Sequence, residues 1–142
     1  MKTLENLEKF GFAEQRATGS SMMPFIRSKD KLIIVKKIRR LCKGEIGLFL
    51  KEDNLILHRV KKVKKKGYTF SGDNRYRSDG FVEEEKVLGR LVAIYKQNKK
   101  VECDSKRFRV KSAFYNFCLF KPFLVFFMRL TSRIKSIGRK DK

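Results

Sequence analysis

Apolar residues recur at helical spacing at both ends of the chain, whereas short apolar or alternating runs fill its middle. Leu4, Leu7 and Phe10 are spaced three residues apart, which predicts a short amphipathic helix ending at Gly11. Five β-rich runs follow, separated by polar or glycine-containing turns, and they comprise residues 31–37, 45–51, 54–63, 68–71 and 87–95. Because no helical segment lies between these runs, the pattern predicts a mainly β fold, an antiparallel β sandwich or half-barrel.

The last third of the chain returns to helical spacing and is unusually rich in phenylalanine. Seven of the 13 Phe residues fall between positions 108 and 127. One helical face there would carry Val110, Ala113, Phe114, Phe117 and Cys118, and Lys121-Pro122 would end that helix before a second one. We therefore expect one or two C-terminal helices. The predicted organisation is an N-terminal helix and lead-in (1–17), a β domain (18–97) and a basic helical tail (98–142).

Composition and charge fit one folded domain with strong attraction to anionic surfaces. The 142 residues include 36 Lys and Arg against 15 Asp and Glu, a net charge of +21, yet the hydrophobic share of 42% is too high for a disordered polycation. From Lys96 onward the chain holds 14 basic and three acidic residues. Apolar helices flanked by cations favour an anionic membrane surface as partner of the tail, and no specific nucleic acid is expected. The alternative is that these helices pack on the sheet as a lid.

The N-terminus bears on the cellular location of the protein, and the cysteines bear on disulfides and metal sites. The N-terminus has acids and no long apolar run, so we expect no cleavable signal peptide and a cytoplasmic or peripherally membrane-associated protein. The three cysteines are Cys42, Cys103 and Cys118, an odd number without CxxC spacing. This pattern favours neither a disulfide framework nor a zinc site, and we predict no cofactor and no metal.

Candidate chemistry centres on a serine and the single histidine of the chain. Ser21 lies in a loop before the first β-rich run, and a serine hydroxyl needs a nearby base to become a nucleophile. The one imidazole is His58, 37 residues later, in a predicted strand. Asp73 and Asp79, in the polar turn region 71–80, can each orient it. The alternatives are a capping serine, a half-buried sheet histidine and ordinary turn carboxylates.

The order of these motifs resembles the signal peptidase I superfamily, which also contains the self-cleaving repressor peptidases. The resemblance spans residues 18–95 and rests on Gly19-Ser20-Ser21-Met22-Met23-Pro24, a basic strand with LILHRV, the segment GYTFSGDN and then VLGR. It implies that Ser21 is the nucleophile and that His58 takes the place of the base, as in the archaeal and endoplasmic-reticulum type. An acid beyond GDN completes that triad, so Asp79 ranks ahead of Asp73.

The resemblance implies a serine endopeptidase acting on a peptide or preprotein through an acyl-enzyme. The oxyanion would be held by the backbone N–H of Ser21, with the Ser20 hydroxyl helping. Only 18 residues precede Gly19, so we expect a small member without the N-terminal membrane anchor or a DNA-reading domain. The competing hypothesis is a basic binding module, on nucleic acid or an anionic membrane, in which the catalytic residues are incidental.

Overall fold

The computed structural model describes residues 2–97 and 99–117, and this part of the chain is built on one antiparallel sheet. Two helices flank the sheet sequence, α1 (Lys2–Phe10) and α2 (Lys106–Phe117), and a short 3-10 helix covers Glu84–Lys86. The strands are β1 (Phe12–Arg16), β2 (Lys31–Lys36), β3 (Ile46–Lys51), β4 (Asn54–Lys64), β5 (Gly67–Ser71), β6 (Phe81–Glu83), β7 (Val87–Lys96) and β8 (Lys99–Glu102).

The strand order explains how distant segments meet. Among the described residues the order is β1-β2-β7-β3-β4-β5-β6, with β8 also paired to β7. The hairpins β3–β4 and β4–β5 are local, whereas β7 inserts between β2 and β3. The predicted mainly β half-barrel with a short N-terminal helix and a C-terminal helix is therefore confirmed. The proposed boundaries at residues 17 and 97 remain a prediction.

Three strands have no counterpart in the predicted pattern. The strands β1, β6 and β8 contain five, three and four residues and carry many charged or polar side chains. Each is defined by pairing with a longer strand: β1 with β2, β6 with β5 and β8 with β7. Short polar segments of this kind become strands through the partner backbone rather than through their own apolar alternation.

Two apolar clusters pack on the curved sheet. The cluster nearer β1 and β2 also receives the segment after the candidate serine, and its buried members include Leu7, Met22, Phe25, Ile26, Leu32, Ile34, Leu48, Leu91, Ile94 and Phe108. The other cluster consists of Leu41, Phe49, Val60, Tyr68, Phe70, Val82 and Val87. The loop from residue 17 to residue 30 is thus anchored to the core through its apolar side chains, which fixes the position of the serine it carries.

The C-terminal helix has two different faces. Phe108 and Ser112 are buried and Tyr115 is partly buried, so this side of α2 packs on the domain. Val110 and Phe114, which the helical spacing places together, remain 68% and 75% exposed. The predicted second helix and the break at Lys121-Pro122 lie outside the described residues. Within the described part of the chain, neither helix has the length and apolar content needed to cross a membrane.

Candidate active site

Strand β4 presents its two central polar residues in opposite directions. His58 pairs with Gly47 of β3, and the residue is only 3% exposed. Arg59 follows directly and is equally buried. Because successive side chains of a strand leave on opposite sides, the imidazole and the guanidinium reach different neighbours although they are adjacent in sequence. The rigid strand fixes where each of them points.

The loop that carries Ser21, residues 17–30, is called the serine loop. It is held to the turn after β5 by hydrogen bonds from Asn74. The carbonyl oxygen of Ser21 accepts a hydrogen bond from the Asn74 backbone N–H at 2.8 Å. The carbonyl of the preceding residue, Ser20, accepts from the Asn74 side-chain amide at 3.2 Å and from the Met23 N–H at 3.1 Å. Asn74 therefore donates hydrogen bonds to the carbonyls of both Ser20 and Ser21. These bonds limit how far the Ser21 hydroxyl can move.

These elements bring Ser21, His58 and Asp79 into one hydrogen-bonded row. The Nε2 atom of His58 lies 2.9 Å from the Ser21 Oγ, and its Nδ1 atom lies 2.6 Å from the Oδ2 of Asp79. When Nδ1–H donates to the Asp79 carboxylate, the Nε2 lone pair faces the serine hydroxyl and can accept its proton. This is the arrangement that a serine nucleophile with a histidine base requires.

Asp79 is fixed from its backbone as well as its side chain. Its N–H donates to the carbonyl of Phe70 at 2.9 Å, and its own carbonyl accepts from Lys51 Nζ at 2.7 Å. The carboxylate is almost buried, with 5% of the side chain exposed, and Arg75 Nη1 lies 3.6 Å from Oδ1. These contacts stop the turn from swinging away, so the carboxylate stays against the imidazole.

The second candidate acid, Asp73, lies against a different partner. Its carboxylate is fully buried and forms a forked ion pair with Arg59, with nitrogen–oxygen distances of 2.8, 3.1 and 2.7 Å. Such a bidentate pair matches the planar fork of the guanidinium to the two carboxylate oxygens. The geometry therefore offers Asp79, and not Asp73, to the imidazole. Asp73 instead holds the turn between Gly72 and Asn74.

Gly72 is a site residue that the sequence pattern marks only as part of a turn. A Cβ at this position would lie 2.6 Å from the Ser21 carbonyl oxygen and 3.1 Å from His58 Nε2. Those distances are shorter than van der Waals contact, so only glycine lets the turn approach the serine this closely. The Gly-Asp-Asn sequence is the feature of the sequence that could have marked Gly72 as a site residue. It places Gly72, which lies close to Ser21, next to the buried Asp73 and to Asn74, which bonds the serine loop.

A cleft lined by both polar and apolar groups opens beside the serine and the histidine. Its volume is about 260 Å³. Its walls come from the serine loop and from β1, β2, β3 and β4, and the lining includes Gln15, Ala17, Ser21, Met22, Ile26, Leu32, Ile34, Leu48, Leu57, His58 and Arg75. A cleft of this kind can receive an apolar side chain of an extended peptide and place the adjacent peptide bond near the hydroxyl.

Cys103 is a second residue type that can act as a nucleophile, but its surroundings disfavour the thiolate. Burial raises the pKa of the Cys103 thiol to about 12, so this cysteine stays protonated and is a poor nucleophile. Among residues 2–97 and 99–117 no group of three or more His, Cys, Asp or Glu side chains is placed to hold a metal ion. Ser20 is exposed, and its predicted role at the oxyanion remains a prediction.

Comparison with known proteins adds one match. A family model described as Peptidase S24-like matches residues 12–92, which run from the start of β1 into β7 and contain Ser21, His58, Asp73 and Asp79. No curated protein matches the chain. The matched region covers more than half of the sequence and ends before α2.

Proposed function

Because the chain belongs to the Peptidase S24-like family, within the superfamily of repressor and signal-peptidase-like serine peptidases, we propose that it is a serine endopeptidase with a Ser21–His58–Asp79 triad. The observation that carries the proposal is the row of two short contacts, 2.9 Å from Ser21 to His58 and 2.6 Å from His58 to Asp79. Histidine at the base position supports a place in the branch that uses imidazole rather than lysine.

The proposed reaction is acyl transfer in two steps. Ser21 Oγ attacks the carbonyl carbon of the scissile peptide bond while His58 Nε2 takes the hydroxyl proton. The imidazolium then gives this proton to the leaving amine, and the C–N bond breaks to leave an ester on Ser21. A water molecule, deprotonated by His58, attacks the ester and releases the carboxylic acid and the free serine. Asp79 holds the neutral imidazole in the accepting tautomer and stabilises the imidazolium when it forms.

The transition state needs hydrogen-bond donors for its oxyanion. We assign this role to the backbone N–H of Ser21 and the hydroxyl of Ser20. Preorganised donors at the developing negative charge supply much of the rate enhancement in acyl transfer. The Asn74 contacts to the carbonyls of Ser20 and Ser21 support this assignment, because they hold the two peptide units rigidly beside the reacting atoms.

The cleft beside Ser21 and His58 supports an extended peptide or preprotein as substrate. Ile34, Leu48 and Leu57 line it beside His58, so an uncharged side chain next to the scissile bond fits best. Gln15 at the end of β1 also lines the cleft, and an extended peptide can lie along this strand through backbone hydrogen bonds.

Covalent labelling tests the proposed nucleophile. The full chain is treated with a fluorophosphonate, and the modified residue is identified by mass spectrometry. We expect one adduct, on Ser21, which is absent from Ser21→Ala and forms about 10³-fold more slowly or worse in His58→Ala. Ser28→Ala, an exposed loop serine, is the matched control and should label like the parent protein. No adduct on a folded sample, or an adduct elsewhere, would favour the basic binding module.

We also propose that α2 binds an anionic membrane surface through its outer face. Val110 and Phe114 are exposed there, and the adjoining groove of about 930 Å³ also carries Lys106 and Arg109. An apolar pair beside cations can enter the headgroup region while the cations meet lipid phosphates. The basic composition of residues 118–142 supports the same partner.

Vesicle co-sedimentation tests this surface. With vesicles of phosphatidylcholine and phosphatidylserine, the double substitution Val110→Ser with Phe114→Ser should weaken binding about tenfold or more, because two apolar side chains are lost. Ile38→Ser removes a side chain that is 93% exposed elsewhere and serves as the control. Equal binding of all three proteins would contradict the membrane proposal, and stronger retention on nucleic acid than on vesicles would favour the nucleic-acid alternative.

A further inference from the structure

We propose that helix α2 positions the catalytic serine, with Asn116 acting on it through Asp73. This inference rests on the proposed function. It concerns a helix beyond residues 12–92, which the family match does not cover. Asn116 is therefore a positioning residue, since it acts through Asp73 rather than on the reacting atoms.

The first step of the connection is a polar contact between α2 and a buried carboxylate. Asn116 Nδ2 donates to Asp73 Oδ1 at 3.2 Å and to the Ser112 carbonyl at 2.8 Å. Its Oδ1 accepts a hydrogen bond from Lys61 Nζ. Because the Asp73 carboxylate is fully buried, its position is set by the hydrogen bonds that it accepts from protein donors.

Arg59 joins the same helix to the same carboxylate. Its Nη1 donates to the Gly44 carbonyl at 2.7 Å and approaches the Ser112 hydroxyl at 3.3 Å, while Nε and Nη2 hold Asp73. Two side chains of α2, one turn apart, therefore meet the two members of the buried ion pair. A helix that only covered the sheet could dock by its apolar face without these polar contacts.

The second step leads from Asp73 to the nucleophile. Asp73 sits between two residues that both approach Ser21. Gly72 lies so close that an added Cβ would come within 2.6 Å of the Ser21 carbonyl oxygen, and the Asn74 backbone N–H donates to that oxygen. A shift of Asp73 would move both of these neighbours. Since the Ser21–His58 contact depends on their position, a displacement of a few tenths of an ångström would reach the reacting hydroxyl.

The same helix also contacts the segment that follows the serine. Phe25 lies edge-on to Phe108 with ring centroids 5.7 Å apart, and to Tyr115 at 5.4 Å. Phe25 is four residues after Ser21, in a turn closed by the Ile26 N–H to the Met22 carbonyl. Helix α2 therefore contacts both segments that position Ser21. It reaches the turn at Asp73 through polar contacts and the segment at Phe25 through aromatic contacts.

The test compares Asn116→Ala with Lys111→Ala in the full chain. Lys111 is exposed on the same helix and serves as the matched control. Three quantities are measured: the melting temperature, the rate of acylation by the fluorophosphonate, and the hydrogen exchange rate of the Asn74 backbone N–H. In Asn116→Ala we expect acylation about tenfold slower and Asn74 exchange about tenfold faster, at a temperature where the protein is folded. Lys111→Ala should change neither rate.

The outcomes separate a positioning role from a structural one. A lower melting temperature with unchanged acylation and unchanged Asn74 exchange would overturn the inference, because α2 would then only stabilise the fold. If the parent protein is not acylated at all, the proposed function fails. Faster Asn74 exchange in Asn116→Ala would still support the connection from α2 to the serine loop in that case, because exchange does not depend on catalysis.

Discussion

The Nε2 atom of His58 lies 2.9 Å from the Oγ of Ser21, although 37 positions separate the two residues in sequence. No interaction between neighbouring residues of the sequence brings Ser21 and His58 together. The serine loop is anchored in the core by the apolar side chains around it, and the histidine is fixed on β4 beside Gly47.

Replacing Asp79 by asparagine should abolish most activity without unfolding the protein. The amide can present N–H to Nδ1, which would put the imidazole proton on Nε2 and remove the lone pair that accepts from Ser21. We expect the acylation rate to fall by about 10⁴-fold, as for a triad acid changed to an amide. Acylation rate and melting temperature are measured together. An acylation rate within tenfold of the parent protein would remove Asp79 from the proposed triad.

Replacing Asp73 by asparagine should strongly reduce the free energy of unfolding, in addition to the slower acylation expected from its link to the serine loop. The change leaves Arg59 buried without its carboxylate, and breaking a buried ion pair from one side costs about 3–5 kcal/mol. Urea unfolding measures the free energy of unfolding directly. Asp79→Asn serves for comparison, since the two substitutions remove the same charge from the same turn region. A smaller loss of stability in Asp73→Asn than in Asp79→Asn would contradict the roles assigned to the two acids.

Adding a methyl group at Gly72 should displace the serine. The new Cβ would meet the Ser21 carbonyl oxygen at 2.6 Å, so the loop or the turn must move. Misplacement of this kind is expected to lower the acylation rate about 100-fold. In Gly11→Ala, the control, φ is +73° and no atom lies within 4 Å of the new methyl group. It should cost about 1 kcal/mol of stability and leave the rate of the folded protein unchanged.

The hydroxyl of Ser20 is expected to contribute to the rate but not to substrate binding. If it helps to hold the oxyanion, Ser20→Ala should lower kcat about 100-fold while KM stays within a few-fold. Peptide cleavage under steady-state conditions provides both constants. Ser28→Ala is again the control. An unchanged kcat would leave the backbone N–H of Ser21 as the proposed donor without help from Ser20.

Stability should depend on pH through Glu45. Burial of this carboxyl favours its neutral form, but hydrogen bonds from Arg39 and from the Cys42 N–H outweigh that effect and lower its pKa below the ordinary value of 4.5. A lowered pKa stabilises the fold above the ordinary value, and this contribution disappears as the pH falls through the lowered pKa.

Glu45→Gln should accordingly reduce the free energy of unfolding by about 1–2 kcal/mol at pH 7. The difference from the parent protein should shrink as the pH falls from about 4.5 toward the lowered pKa. Urea titrations at several pH values measure it. Glu14→Gln, which affects an exposed surface pair with Lys31, should change stability little at any pH. A difference between Glu45→Gln and the parent that grows on acidification would contradict the sign.

The sequence by itself determined the long strands, the first helix and the identity of the candidate groups. Residues 31–36, 46–51 and 87–96 carry apolar runs strong enough to mark strands without their partners. One histidine and one serine motif restricted the chemistry, because few residue types can activate a hydroxyl.

Only the tertiary structure decided which groups meet. It pairs Asp79 with His58 and Asp73 with Arg59, and it turns Phe108 inward while leaving Phe114 outside. It also creates β1, β6 and β8 by pairing, and it brings Gly72 against Ser21, whereas the Gly-Asp-Asn sequence alone indicates only a turn. Periodicity along a chain records only which side of its own helix or strand a residue occupies. Contacts between segments far apart in sequence depend on the packing of the whole sheet, which no local window of residues includes.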